Sequence, residues 1–222
     1  MFLLINKPSG PTSHDIIKFL RRITNIKKIG HTGTLDPFAS GLLIIAIHRE
    51  STKKITDFAH FPKEYKALLQ LGAVSDTYDR AGKIEILKTP PLTQKNISMV
   101  LPKFVGQQKQ IPPMFSAKKI NGKKLYKLAR QGITVLRQPA SIMIHSIEIL
   151  NLDLKNLTLE IKVCCSTGTY IRSLAHDIGQ ALGCGAYLQT LQRTKIGPYT
   201  IENSFLPDQL NSLNWQNFIF EP

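Results

Sequence analysis

Segments with the apolar pattern of strands and segments with the apolar spacing of helices follow one another along this chain. This combination constrains the fold more than any other feature. Residues 2–5 and 41–47 are short, continuous apolar runs with the length and composition of buried strands. Apolar residues recur at helical spacing from Ser13 to about Thr24, and Ser13 is in position to cap that helix. Because strands and helices mix without a strict β-α-β order, the 222 residues predict one α+β domain.

No apolar segment is long enough to cross a membrane. The longest uncharged apolar run, residues 41–47, is far shorter than the roughly 18 residues of a spanning helix. The first residues also lack the basic stretch and the small-residue cleavage site of a secretory signal. The three cysteines are an odd number, and neither they nor the histidines show metal-ligand spacing. We therefore expect a cytoplasmic protein without a metal site.

The positive charge of the chain is concentrated in one segment. The chain has 29 basic and 15 acidic residues, and residues 111–140 hold seven of the basic residues and no acidic one. Residues 141–222, by contrast, are net negative. A run of lysines is usually a solvated surface, but this imbalance favours a polyanionic partner. Nucleic acid fits better than a membrane, because the segment has no long apolar face. The candidate contacts are Lys118, Lys119, Lys123, Lys124, Lys127 and Arg130.

The loop over residues 30–37 holds the strongest candidate for catalysis. Gly30 and Gly33 permit backbone conformations that are closed to other residues, and Pro37 restrains Asp36 to an extended shape. A carboxylate held rigidly between two predicted strands is a candidate nucleophile or base. The spacing lacks the Gly-Lys-Ser/Thr of a nucleotide-binding loop. A turn-capping role for Asp36 explains the same residues and stays open at this point.

Arg172 is the candidate cation for such a carboxylate. It lies at the edge of the apolar stripe of a helix predicted from Thr169 to about Leu182. Asp177 lies about 140° further around that helix, so the two side chains do not pair readily. An arginine at the border of a buried stripe tends to find an acidic partner elsewhere and to orient its oxygens. Extension of the side chain into solvent is the alternative.

Three ring-bearing side chains are candidates for holding a nucleobase. Tyr65 and Tyr170 are each able to stack on a flipped base, and His31 lies in the loop of the candidate carboxylate. Taken singly, such tyrosines are more often core or surface residues, and a lone histidine is usually structural. A cysteine-dependent hydrolase is disfavoured, because Cys164 and Cys165 have no evident His/Asn partner arrangement.

These residues and their neighbours form a series of motifs. In chain order the motifs are Lys7-Pro8 with Thr12-Ser13-His14-Asp15, the Lys-Ile-Gly-His-Thr-Gly-Thr-Leu-Asp-Pro stretch over 28–37, Lys63-Glu64-Tyr65, Asp76-Thr77-Tyr78-Asp79, the Gln-Ile-Pro-Pro-Met-Phe-Ser-Ala stretch over 110–117, the Gly-Thr-Tyr-Ile-Arg-Ser-Leu stretch over 168–174 and Leu191-Gln192-Arg193-Thr194. With these motifs the chain resembles the bacterial tRNA pseudouridine-55 synthase family, TruB, over nearly its whole length.

The resemblance implies a fold and a set of roles. It implies a pseudouridine-synthase-type catalytic domain with a mixed, largely antiparallel central sheet flanked by helices. By the same resemblance, Asp36 is the nucleophile and Arg172 is its ion-pair partner. Tyr65 then stacks on the target uracil, and Tyr170 and Leu191 line the pocket.

The resemblance also implies how RNA is held. His31 helps to hold the surroundings that the flipped base leaves, and a basic insertion at about 103–138 grips the T-arm of tRNA. No cofactor is needed, because moving the uracil from N1 to C5 involves no redox change. No obligatory protein partner is implied, and we expect a monomer. The alternative function is a tRNA-binding folding chaperone in which catalysis is incidental.

The sequence departs from the family pattern at its C-terminal end, where many relatives carry a small RNA-binding domain of the PUA type. We expect a catalytic domain over residues 1–200 and a short tail over 201–222 without a full PUA domain. More of the tRNA affinity would then come from the core and the basic insertion. Single departures, none of which touches the catalytic set, are Asn6, His48, Phe115 and Gln192.

Overall fold

The fold was obtained as a computed structural model that describes residues 1–120 and 122–221. The α-helices are α1 (Ser13–Thr24), α2 (His48–Lys53), α3 (Ile55–Ala59), α4 (Gln94–Val100), α5 (Leu125–Ala129) and α6 (Ile171–Ala181). The strands are β1 (Phe2–Lys7), β2 (Ile29–Thr32), β3 (Ser40–Ile47), β4 (Lys63–Leu71), β5 (Ala73–Ser75), β6 (Ile84–Ile86), β7 (Gly106–Gln110), β8 (Lys119–Ile120), β9 (Lys123–Lys124), β10 (Ala140–Asp153), β11 (Thr158–Cys165), β12 (Ala186–Ile196), β13 (Tyr199–Thr200) and β14 (Ile219–Phe220). Short 3-10 helices cover Leu101–Phe104, Ile201–Asn203, Pro207–Gln209 and Trp215–Phe218.

Contacts divide the chain into two compact units. The first unit comprises residues 1–66 and 191–222, and the second comprises residues 67–190. Strands β4 and β12 each begin in one unit and end in the other. Within the described part of the chain, no helix is long and apolar enough to span a membrane.

The first unit is built around β3. Strand β1 pairs with β3 in the antiparallel sense, from Phe2 opposite Ala46 to Lys7 opposite Gly41. Strand β2 is also antiparallel to β3, whereas β12 joins β3 as a parallel neighbour at Ser40. The strand order here is β14-β1-β3-β12. The sheet is therefore mixed but mostly antiparallel.

Strand β3 is buried on both faces, which explains why its sequence is a continuous apolar run. Its odd-numbered residues pack with the apolar side of α1 in a cluster that includes Leu3, Ile5, Ile16, Ile17, Leu20, Leu43, Ile45 and Ile47. Its even-numbered residues pack in a second cluster with Phe2, Leu4, Leu42, Ile44, Ala46, Phe58 and Ile196. Successive side chains of a strand point to opposite faces, so a strand between two cores must be apolar throughout.

Helix α1 confirms the helical spacing over 13–24 and corrects its cap. Thr12 is the N-cap, and its hydroxyl accepts from the backbone N–H of Asp15, whose carboxylate accepts in turn from the Thr12 backbone N–H. This reciprocal arrangement satisfies two N–H groups that the first turn leaves without helical partners. The prediction that Ser13 caps the helix is wrong. Ser13 is buried and binds elsewhere, as described below.

The second unit contains the strand order β4-β11-β10-β7. Strand β10 pairs antiparallel with β11 on one side and with β7 on the other. The sequence over 157–163 alternates apolar and polar residues, which predicts a strand with one buried face. Strand β11 confirms this, because Leu159, Ile161 and Val163 are buried while the residues between them are half-buried. Helix α6 contributes a buried face to this unit. The predicted α+β class with a mostly antiparallel sheet is confirmed.

Candidate active site

The loop that carries Asp36 connects β2 to β3 and is held from below by Ser13. The buried Ser13 hydroxyl accepts from the backbone N–H of Leu35 at 3.0 Å and donates to the carbonyl of Leu35 at 3.2 Å. On the other side of Asp36, the carbonyl of Pro37 accepts from the backbone N–H of Gly10 at 2.8 Å. Asp36 itself is half-buried. The backbone on both sides of the carboxylate is therefore fixed by hydrogen bonds.

Lys7 places a buried cation beneath this loop. Its ammonium group donates to the carbonyls of Pro8 and Pro11 at 2.8 Å each and lies 3.4 Å from the carbonyl of Pro37. Burial lowers the pKa of Lys7 from 10.5 to about 8, while the negative charge of Asp36 acts in the opposite direction. The two charges therefore stabilise each other, and Lys7 remains mostly protonated at neutral pH.

Arg193 joins the two ends of the loop. Its Nε donates to the carbonyl of Leu42 at 2.8 Å, and its Nη2 donates to the carbonyl of Gly33 at 2.7 Å. The side chain is 1% exposed, so these bonds lie away from solvent. Gly33 has a φ of 64°, and a Cβ there would lie 3.0 Å from Nη1 of Arg193. Glycine is favoured at this position for both reasons.

His31 lies on β2 at the entrance to the loop. Its Nε2 is 3.1 Å from the hydroxyl of Thr34. Burial lowers the pKa of His31, and the charges of Arg193 and His14 lower it further. Both effects favour the neutral form of the imidazole. The structure thus places His31 in the same unit as Asp36, among the residues that hold the loop.

Two further residues predicted for the site lie on strands that begin or end in the first unit. Tyr65 is half-buried on β4, and Leu191 is buried on β12. The adjacent residue Glu64 is fixed by Thr194 of β12, whose hydroxyl donates to the Glu64 carboxylate at 2.7 Å. The backbone beside Tyr65 is therefore anchored.

Arg172 is the second residue of α6 and is buried in the second unit. Its Nη1 donates to the carbonyl of Thr77 at 3.1 Å, and its Nη2 donates to the carbonyl of Phe115 at 2.8 Å. Nη1 also lies 3.5 Å from the Asp79 carboxylate, and both side chains are less than 8% exposed. The alternative that the sequence left open, extension of Arg172 into solvent, is wrong. Its ion pair with Asp36, implied by the family resemblance, stays a prediction.

Asp79 is held as firmly as its partner. Its Oδ1 accepts from the hydroxyl of Thr77 at 2.7 Å and from the backbone N–H of Ala81 at 2.9 Å. The preceding residue, Tyr78, has a φ of 62° and stacks on His176 at a ring distance of 4.1 Å. A bulky residue rarely adopts this left-handed conformation, so the stack and the turn support each other.

Tyr170 precedes α6 and is anchored by Gln110. The backbone N–H of Tyr170 donates to Oε1 of Gln110 at 2.8 Å, and its carbonyl accepts from Nε2 at 3.0 Å. The next turn adds a bond from the Ser173 hydroxyl to the carbonyl of Ile111 at 3.0 Å. The start of the basic stretch is therefore fixed to the helix that carries Arg172.

The predicted RNA-binding cations are all exposed. They are Lys118, Lys119, Lys123, Lys124, Lys127 and Arg130. Strands β8 and β9 form a small antiparallel pair, and buried Leu125 fixes the start of α5 beneath it. Tyr126 lies between Lys124 at 5.7 Å and Arg130 at 5.5 Å, as measured from its ring centre. The segment is a structured cationic surface in which two of the cations lie near an aromatic ring.

Comparison with protein families identifies the family of this chain. The model of the TruB family pseudouridylate synthase N-terminal domain matches residues 21–171. The model of the tRNA pseudouridylate synthase B C-terminal domain matches residues 172–219. The chain belongs to the TruB family of pseudouridylate synthases. The resemblance drawn from the motifs is thereby confirmed.

Individual relatives agree with this membership of the TruB family. The chain is 48% identical over 201 residues to tRNA pseudouridine synthase B of Protochlamydia amoebophila, and the match covers 90% of this chain and 76% of the relative. It is 46% identical over 219 residues to tRNA pseudouridine synthase B of Clostridium tetani, and that match covers 97% of this chain and 74% of the relative.

Solved structures show the same fold. A Cbf5-Nop10-Gar1 complex contains a chain with a TM-score of 0.72 and 31% identity, and the match covers 92% of this chain and 51% of that one. An H/ACA RNP bound to a substrate RNA containing 2'-deoxyuridine gives a TM-score of 0.71 and 27% identity over 99% of this chain and 56% of that one. This chain thus spans about half the length of those chains. The predicted pseudouridine-synthase-type fold is confirmed.

The sequence interpretation gave no role to three buried charged residues that hold the loop of Asp36 or contact Arg172. Lys7, Asp79 and Arg193 were quoted only as members of motifs and were given no role. The signal available for each was a charged residue inside an otherwise apolar or turn-forming motif. A single sequence does not reveal which charged residues become buried, because that depends on contacts between distant segments.

Proposed function

We propose that this member of the TruB family converts a uridine in the T-loop of tRNA, position 55 by the family resemblance, into pseudouridine. The observation that carries the proposal is Asp36, a half-buried carboxylate in a loop fixed by Ser13, Lys7 and Arg193. The names of the relatives supply the class of RNA. We place the reaction in the cytoplasm with a monomeric enzyme, and we retain a catalytic domain over 1–200 followed by a tail over 201–222.

The reaction is an isomerisation. The N1–C1′ bond of the uridine breaks, the uracil turns, and C5 joins C1′; C5 loses a proton and N1 gains one. Attack by a carboxylate on ribose C1′ or on uracil C6 starts this sequence, and both routes need an ionised Asp36. The Lys7 ammonium favours the ionised form by charge attraction, since each group favours the charged form of the other.

The other residues of the predicted site are proposed to act on the flipped nucleotide. Tyr65 stacks on the uracil, and Tyr170 and Leu191 form the walls of the pocket. His31 holds the surroundings that the flipped base leaves. Extracting a base from the T-loop stack costs a few kcal/mol, which stacking in the pocket and phosphate contacts must offset.

Arg172 is proposed as the cation that orients the nucleophile. Its guanidinium is already held by two carbonyls and by Asp79, so its position does not depend on substrate. A planar group with several fixed donors orients a carboxylate better than a flexible ammonium does.

The test of the proposed function is tritium release from tRNA that carries 5-³H-uridine. Replacement of the C5–H bond by a C5–C1′ bond releases one tritium for each pseudouridine formed. We expect release from wild-type tRNA and none from tRNA in which the T-loop uridine is replaced by cytidine. Equal release from both RNAs would place the target elsewhere in the molecule.

Substitution of Tyr65 tests the stacking role. Tyr65→Ala should weaken binding of a T-arm hairpin by about 1–3 kcal/mol, because a base–aromatic stack is lost. Tyr65→Phe keeps the ring and should bind like the wild type. Dissociation constants and turnover of both variants give the answer. A loss of turnover in the phenylalanine variant alone would assign a role to the hydroxyl, and equal behaviour of both variants with the wild type would remove Tyr65 from the pocket.

Substitution of four lysines tests the basic segment. Replacing Lys118, Lys119, Lys123 and Lys124 together by glutamine should flatten the slope of log affinity against log salt by roughly two to four, because each lost phosphate contact removes about 0.7–0.9 from the slope. The matched control carries glutamine at four other exposed lysines: Lys83, Lys88, Lys95 and Lys155. The same flattening in the control would mean that net charge, rather than this surface, holds the RNA.

A further inference from the structure

A second basic surface lies in the first unit, apart from the residues assigned so far. A groove of about 660 Å³ is lined by Arg21, Lys27, Lys28, Ile29, Gly30 and Thr52. The three cationic side chains are exposed. No acidic residue of the described chain is among those that line the groove, and none of the three cations has an ion-pair partner among the described residues.

The charge pattern of the sequence singles out the same place. Residues 16–35 contain five basic residues and no acidic one. Together with residues 111–140, they hold twelve basic residues and no acidic one, in a chain whose net charge is +14. The positive charge is therefore concentrated in two segments rather than one.

Helix chemistry explains only part of this concentration. Arg21 and Arg22 lie in the last turn of α1, where cations offset the negative end of the helix dipole. Lys27 and Lys28 follow the left-handed residue Asn25 that ends the helix, so the dipole does not account for them. The backbone is nevertheless fixed there, because the carbonyl of Lys28 accepts from the backbone N–H of His48 at 2.8 Å.

The floor of the groove is kept open by a glycine. A Cβ at position 30 would lie 3.4 Å from the methyl group of Thr52 and 3.5 Å from Cδ1 of Ile55. These are ordinary van der Waals contacts, so a methyl group would fit there but would take up part of the open space beside α2 and α3. The groove thus combines a fixed backbone, a narrow open floor and three exposed cations.

Strand β2 connects the groove to the loop of Asp36. Strand β2 begins at Ile29 on the groove floor and ends at Thr32, four residues before Asp36. At about 3.3 Å per residue, this strand covers roughly 10 Å, and one nucleic-acid strand rises about 3.4 Å per nucleotide. A few nucleotides of RNA therefore span the distance from the groove to the loop of Asp36.

We propose that the groove lined by Arg21, Lys27 and Lys28 binds phosphates of the substrate RNA, a few nucleotides from the uridine at Asp36. The inference rests on the proposed function. RNA fits better than an anionic membrane, because the apolar residue of the lining, Ile29, is buried and leaves no apolar face to insert. The groove would supply phosphate contacts in addition to those proposed for the basic segment of the second unit.

The experiment compares two double variants of the full chain. Lys27→Gln with Lys28→Gln removes two charges from the groove. Lys18→Gln with Arg22→Gln removes two charges from the same stretch, but Lys18 pairs with Asp15 and Arg22 lies over the ring of Phe19. The dissociation constant of a T-arm hairpin is measured against salt concentration for each.

We expect the groove variant to flatten the log–log salt slope by about 1.5, which corresponds to two lost phosphate contacts. The control should change the slope by much less. An equal effect of the two variants, or no effect of the groove variant, would overturn the proposal. So would a loss of binding to anionic vesicles with RNA binding unchanged.

The salt slope also separates this proposal from the proposed function. The slope measures RNA binding whether or not the uridine reacts. Absence of tritium release from the wild type would therefore refute the activity while leaving the groove testable. An unchanged slope in the groove variant of an active enzyme would refute the groove alone.

Discussion

Replacement of Asp36 by asparagine should abolish pseudouridine formation and leave RNA binding intact. The amide has nearly the shape of the carboxylate but is not a nucleophile. The loop should keep its conformation, because Ser13, Lys7 and Arg193 hold it through backbone carbonyl and N–H groups on either side of residue 36. Tritium release measures the reaction, and the dissociation constant of a T-arm hairpin measures binding. Turnover above contamination in this variant would remove Asp36 from the role of nucleophile.

The same substitution has a second readout in the pH dependence of stability. The folded-state pKa of Lys7, about 8, lies below the ordinary value of 10.5. Between those values the unfolded chain binds more protons, so Lys7 makes the free energy of unfolding rise with pH there. Asp36 raises the pKa of Lys7, and its loss should lower it further. The rise should therefore begin at lower pH in Asp36→Asn, as measured by denaturant unfolding. An identical profile would mean that the two charges are not coupled.

The elements of the fold were predictable where one hydrophobic period dominates. The run over 41–47 became β3, the alternation after residue 157 became β11, and the stripe over 13–24 became α1. The sequence from about Ser51 to Phe61 also predicts one helix, and this prediction is wrong, because the structure has the two short helices α2 and α3 there. A weak apolar period over 11 residues does not show where the chain bends.

The candidate site was predictable where residue type alone limits the chemistry. A carboxylate that follows two glycines and precedes a proline is a candidate catalytic group by sequence alone. The structure shows Asp36 in a loop that is fixed on both sides. The support beneath it was not predictable. Ser13 fits a helix cap by sequence, yet a threonine one residue earlier takes that role and frees Ser13 to hold the loop. Only the path of the distant chain decides between the two.

The partner of Arg172 shows the same limit in the second unit. The sequence correctly indicates that Asp177, on the same helix, is not a convenient partner. It does not reveal that Asp79, in a turn more than ninety positions away, lies 3.5 Å from the guanidinium. That turn depends on Tyr78 in a left-handed conformation, which residue preferences disfavour. The stack of Tyr78 on His176 stabilises it, and such a contact is visible only in three dimensions.

Breaking the Asp79–Arg172 pair should cause the largest loss of stability of any change considered for this protein. Asp79→Asn removes the carboxylate that lies 3.5 Å from the buried guanidinium of Arg172, and breaking a buried pair from one side costs about 3–5 kcal/mol. Arg172→Met should cost at least as much, because it also leaves the carbonyls of Thr77 and Phe115 without their donor. Denaturant unfolding measures both.

The double variant distinguishes a true pair from two independent losses. With both charges removed, the cost should be lower than the sum of the single variants by about 1–3 kcal/mol, since neither charge is left alone. Arg172→Lys keeps the charge but not the planar set of donors, so it should recover only part of the stability. If Asp79 positions Arg172 for Asp36, Asp79→Asn should also lower turnover in folded protein at a temperature well below its melting point. Additive single costs, or full turnover in that variant, would make the pair a structural contact only.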